Sequence, residues 1–141
     1  FGHGALDLSC RLARLESPDI IHVPYARHEP RRAMTPPLKS RREILEGFVA
    51  ANPSDAFARY GLAVECASQG DTAAAVEHYT TLLAAHPEYV PGYYQYGTLL
   101  TRLGKKDEAR KILSEGVSAA RKAGNSHAQS EMETALAEVG Q

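Results

Sequence analysis

Between residues 57 and 96 the chain places the aromatic side chains Phe57, Tyr60, Tyr79, Tyr89, Tyr93, Tyr94 and Tyr96. Rings of this kind bury a large area while freezing only two torsions, and tyrosine adds a hydroxyl that can pair with a backbone carbonyl. That is the chemistry of recognition rather than of bond breaking. The histidines and cysteines support nothing more specific. None of the six histidines forms an i, i+4 pair, and His22 and His28 stand beside prolines, whereas a metal site needs three or four converging ligands. His78 and His86 read as helix-surface and helix-end residues, with His86 at a C-terminus that favours positive charge. Cys10 and Cys66 are too far apart for a metal spacing, and Cys66 falls on an apolar helix seam as a buried, inert thiol. No nucleophile elbow, phosphate-cradling glycine loop or framed carboxylate pair is present, so the chain reads as a non-enzyme without metal or cofactor.

The elements that would carry these rings begin at Ser40. Ser40 with Glu43 forms a capping box ahead of a stripe through Ile44, Leu45, Phe48 and Val49, which stops at Asn52-Pro53. Ser54 or Asp55 caps a second helix running to Gln69, with Gly70 suited to the left-handed position beyond it. Asp71 caps a third, through Ala75, Val76, Tyr79, Leu82 and Leu83, which ends before Pro87. A fourth helix is expected over about 89 to 103 and a fifth from about Lys106 to Ala123, each closed by a glycine. Ser126 with Gln129 repeats the capping-box spacing and opens a sixth helix striped by Met132, Leu136 and Val139. Short joints between such helices make antiparallel hairpins, and the fold class is all-α.

The punctuation repeats. Pro53 and Pro87 are 34 residues apart, as are Gly70 and Gly104. A two-helix unit of that period resembles the tetratricopeptide repeat, with its W-x2-L-G-x2-Y, A-x3-F and P pattern. The matching positions hold Arg59, Leu62, Ala63, Cys66, Ala75, Tyr79 and Pro87 in one unit. In the next they hold Tyr93, Tyr96, Gly97, Leu100, Ala109 and Leu113, with Arg121 in place of the proline. The resemblance implies an α-solenoid: a half repeat over 41–51, repeats over 56–89 and 90–123, and a capping helix over 126–139. Arg121 implies an extra turn on the fifth helix, and Arg59 either a first unit packed less tightly or a stem lying over apolar surface with its head in water. Residues 1–37 carry five prolines and read as an irregular segment or linker, apart from a short amphipathic stretch at 6–16 and an extended "DIIHVPY". Met34, just before the change of composition, is a candidate start, which would make the residues before it foreign to the domain.

In repeats of this family the first helix of each pair lines a concave wall. The resemblance therefore points to Phe57, Tyr60 and Val64 in one unit and Tyr94, Thr98, Thr101 and Arg102 in the next as a binding strip for a protein or peptide segment. A ligand of mixed apolar and acidic character is expected, with Arg102 at the margin. The competing expectation is that the sixth helix or residues 1–37 cover the rings. A second alternative uses the same fold for self-association, making a homo-oligomer, or as a secretion or assembly chaperone. The Lys/Asn/Arg clamp by which some family members hold a carboxyl terminus is missing, because Phe57, Gly61, Val64, Pro91, Gln95 and Thr98 stand at its positions. A net charge of −1, with acidic residues interleaved among Lys105, Lys106, Arg110 and Lys111, gives no pull toward nucleic acid or membrane surfaces. No 18-residue apolar run or secretory leader is visible, so a reduced cytoplasmic setting is expected.

Overall fold

The computed structural model describes residues 36–141. The expectations for the amphipathic stretch at 6–16, the extended segment and Met34 lie outside the described residues. Six helices are present among those described: α1 Arg41–Ala51, α2 Ala56–Ser68, α3 Thr72–Ala85, α4 Val90–Arg102, α5 Lys106–Lys122 and α6 Ser126–Val139. All six belong to the unit Lys39–Gln141.

Local chemistry sets the boundaries. Ser40 closes its capping box, its Oγ accepting from the Glu43 amide while its own amide donates to Glu43 Oε2 at 2.6 Å. Asp55, rather than Ser54, caps α2, with Oδ1 3.0 Å from the Ala58 amide, and Asp71 caps α3 in the same way. At α6 the sequence reading is corrected. Asn125, one residue ahead of Ser126, is the cap and accepts from the Ala128 amide, while Gln129 turns away to Glu133. Gly70 and Gly104 follow α2 and α4 with φ of 79° and 75°, a left-handed conformation that lets the chain reverse where a Cβ would be strained. Helix α5 runs past the place of the missing proline to Lys122.

The helices pair as hairpins, α2 with α3 and α4 with α5, and α6 packs along α5. The hairpins close through small residues. Ala63, Ala75 and Ala109 are fully buried. A Cβ on Gly97 would fall 2.5 Å from Leu113 Cδ2, and one on Gly116 would meet Met132 Sδ and Tyr93 Cβ at the same distance. Around these crossings Leu62, Cys66, Leu100 and Leu113 form one continuous core, and Tyr79 stacks on Tyr96 with centroids 5.5 Å apart. Burial pushes the Tyr79 phenol and the Cys66 thiol above their ordinary pKa, as expected of inert core groups. Helix α1 is attached by Leu45 against Gly61 and by Arg42, whose guanidinium reaches both Glu46 and Asp71 at 2.9 Å.

Because the crossings leave no spare volume, Gly97→Ala and Ala109→Leu are each expected to destabilise the protein by about 1–3 kcal/mol through overpacking. Urea denaturation followed by circular dichroism measures this. Unchanged midpoints for both variants would contradict the packing described.

Candidate concave binding wall

Helices α2, α4 and α6 are the first members of successive units, and their equivalent positions recur at 34 residues: Phe57, Pro91 and Asn125, then Tyr60, Tyr94 and Ala128. The structure brings Tyr60 and Tyr94 together on the wall of one depression of about 220 Å3, between α2, α4 and α6. Helix α6 supplies its far side through His127, Ala128 and Glu131. Those three residues were missing from the sequence-based strip. They were legible only by extending the period once more, from Tyr94 to Ala128, where no aromatic residue marks the place.

Helix α6 extends the wall without sealing it. Phe57 is 75% exposed, and Thr101 and Arg102 are exposed further along α4. Tyr60, Val64, Tyr94 and Thr98 are half-buried, and the first three lean on the core. The Tyr60 ring lies 5.4 Å from that of Tyr89, and its phenol is raised by the same loss of solvent. These tyrosines are therefore part wall and part support, and truncating them changes stability as well as surface. The Thr98 and Thr101 hydroxyls donate back to Tyr94 and Gly97 carbonyls within α4, so the strip offers methyl groups more than free donors.

Two larger crevices lie elsewhere. One of about 550 Å3 runs between Pro87, Glu88 and the α5 residues Glu115, Ala119 and Lys122. Another of about 380 Å3 separates α3 from α5, over Thr80, Leu83, Tyr96 and Ile112. Each is space left where successive hairpins splay. Tyr93, which borders both, already spends its hydroxyl on the Pro87 carbonyl at 2.8 Å.

Among the described residues, His86 and His78 hold places in the fold. His86 caps the end of α3 and its Nε2 lies 2.9 Å from the Ser54 carbonyl, which ties two inter-helix turns together. His78 departs from the surface position expected for it. It occupies in α3 the place that Ile112 holds in α5, is half-buried, and its Nδ1 has no partner among the described residues. Arg59 is half-buried, and its head, expected in water, donates to the Pro53 carbonyl at 2.9 Å. No group of three metal-ligating side chains and no helix long and apolar enough to cross a membrane occurs among the described residues.

Family patterns of the tetratricopeptide repeat match residues 67–138 and, in a second form, residues 42–90. The chain belongs to the tetratricopeptide repeat family. Its repeats generally mediate protein–protein interaction, and the fold is typically a non-catalytic scaffold. The solution structure of a tetratricopeptide repeat domain protein from Salinibacter ruber is 32% identical, with a TM-score of 0.60 over 62% of this chain and 89% of that one. A crystal structure of such a domain from the same organism is 31% identical, with a TM-score of 0.59 over 61% and 97% of the two chains. A protein from Bordetella parapertussis shares the fold at 23% identity and a TM-score of 0.64, over 73% and 90%. No curated protein matches the chain.

His78 carries a pH prediction. Burial first, and then the Arg59 charge, hold its ring below the ordinary histidine pKa, against opposing pulls from Glu77 and Glu46. The folded state thus prefers the neutral ring. The stability this gives is present above the unfolded value of about 6.5 and is lost as pH falls below it. The urea midpoint is expected to decline as pH falls below about 6.5, and less steeply in His78→Gln. Parallel declines in the two proteins would show that His78 is not responsible.

Proposed function

We propose that this tetratricopeptide repeat domain binds a segment of a partner protein along the wall of α2, α4 and α6. The observation that carries the reading is the pairing of Tyr60 and Tyr94, equivalent residues of successive units, at one open depression, with exposed Phe57 three residues before Tyr60 on α2. Stacked units set like positions side by side, so a ligand lying across them meets a repeated surface. Tyr60 and Tyr94 are already braced by the core, and little side-chain freedom is lost on binding. Scaffolding without catalysis is the reading that the family's typical use of this fold supports.

A second reading rests on a separate observation. Ile44 and Phe48, one turn apart on α1, are 45% and 57% exposed. Exposed apolar residues at the edge of a solenoid favour self-association. Light scattering at tens of micromolar distinguishes the two readings: a monomer leaves the wall as the binding surface, and a dimer lost in Phe48→Glu assigns contact to the α1 edge.

The wall is tested with side chains that hold up nothing else. Phe57→Ala with Arg102→Ala alters two exposed positions and is expected to change stability by no more than about 0.5 kcal/mol. Capture of the partner from the source cell is expected to fall severalfold. Tyr60→Ala with Tyr94→Ala is expected to abolish capture as well, while lowering stability by about 1–3 kcal/mol because both rings are half-buried. Wild-type capture by the first variant and retention by the second, still folded, would move the interface off this wall.

A further inference from the structure

The depression between α2, α4 and α6 has a chemical bias of its own. At about 220 Å3 it is smaller than the clefts of roughly 300–1,000 Å3 that enclose drug-sized ligands, and is suited to a single long side chain. Its lining contains the phenol rings of Tyr60 and Tyr94, the amides of Gln95 and Asn125, and one carboxylate, Glu131. It contains no lysine or arginine. The Glu131 carboxylate is half exposed, and its ion-pair partner among the described residues is His127 at 3.5 Å, which carries charge only when protonated.

We infer that this depression takes a cationic side chain, arginine or lysine, from the bound segment, an assignment that rests on the wall being the binding surface. A cation there gains the Glu131 carboxylate and the electron-rich faces of tyrosine rings, while its aliphatic stem covers apolar wall. Amide oxygens of Gln95 and Asn125 accept hydrogen bonds from a guanidinium or ammonium, although the Asn125 oxygen already receives the Ala128 amide.

The opposite bias has to be weighed, because the depression adjoins the starts of α4 and α6, and helix N-termini attract anions. At α4 those donors are spent or absent. Pro91 has no N–H, and the amides of Val90 and Gly92 already donate to the Glu88 and Tyr89 carbonyls at 2.9 and 3.1 Å. At α6 the Ala128 amide is taken by Asn125 and that of Gln129 by the Asn125 carbonyl, which leaves the Ser126 and His127 amides as the free donors of that turn. A carboxylate entering the depression would find few free donors and would face Glu131. The acidic preference expected from Arg102 therefore belongs to the other end of the strip. Tyr94 and Arg102 are eight residues apart on one helix, about 12 Å at 1.5 Å per residue. An extended ligand spans that distance in roughly three or four residues. The inferred ligand carries a basic residue at the depression and an acidic one that far along the segment.

The test uses the full chain and three blocked pentapeptides, alanine throughout except for a central arginine, norleucine or glutamate. Amide shifts of Tyr94, Ala128 and Glu131 are followed by NMR as each peptide is titrated into the millimolar range. The arginine peptide is expected to shift these resonances saturably and more tightly than the other two. Its affinity should fall about threefold in Glu131→Gln, the size of effect an exposed ion pair gives. Glu133→Gln, outside the depression on the same helix, should leave it unchanged. Norleucine binding as well as arginine would overturn the cation assignment and leave the wall standing. Preference for glutamate would overturn it in favour of an anion at the helix starts. Arginine binding equally well to Glu131→Gln would also overturn it. If none of the peptides moves these resonances, the cation assignment fails together with the wall on which it rests.

Discussion

Everything on the concave wall depends on how closely the two helices of each unit approach. That distance is set by side chains that are nearly absent. Ala63 faces its hairpin partner with no exposed surface, and Gly97 leaves so little room that a single methyl would drive into Leu113. Protein interiors are packed tightly enough that such a group cannot be absorbed without moving a helix. Moving α4 away from α5 would also move Tyr94 relative to Tyr60, since both rings ride on the inner helices and lean on the shared core. The proposed binding surface is thus a consequence of the hairpin crossings, with no independent scaffold of its own.

The two units are not equally strict. At the position where the family pattern has tryptophan, the second unit has Tyr93, 6% exposed, filling the space beside Gly116 and anchored to the Pro87 carbonyl. The first unit has Arg59, half in water and bonded to Pro53. Tyr93 and Met132 both close on Gly116, so α4 and α6 interlock at that point of α5. The first unit relies more on polar ties, Arg42 to Asp71 and His86 to Ser54. Exposed ties of this sort contribute little each. Opening of the structure is therefore expected to begin at the α1 side, where apolar burial is thinner.

The fold was legible because its signals were redundant. Periodic apolar stripes, capping residues and glycines at left-handed positions all marked the same boundaries, and the 34-residue spacing fixed which helices pair. The readings that failed were those where neighbours compete. Ser126 and Gln129 have the spacing of a capping box, but Asn125 reaches the Ala128 amide first. His78 looks like a surface residue in isolation, yet it occupies a place where the next unit carries Ile112. The strip of Phe57, Tyr60, Val64, Tyr94, Thr98, Thr101 and Arg102 was half legible. Its period placed these residues on α2 and α4, whereas the degree of burial of Tyr60 and Tyr94 depends on Tyr89 and the core, which no local pattern reports.

Helix α6 shows why the wall changes character at its third member. Glu131 lies 34 residues after Gly97 and 68 after Ala63, at the place where each earlier inner helix offers a small residue to its partner. A helix packed on α6 as α3 packs on α2 would have to bury that carboxylate, at a cost unmatched by any pairing seen in the first two units. Met132, next along, instead turns inward against Gly116 and Tyr93 and holds α6 to the unit before it. Glu131 therefore disfavours another hairpin partner at that site, and it is also the carboxylate beside the tyrosine pair. A neutral residue there would oppose a further hairpin partner less strongly, because it has no charge to bury.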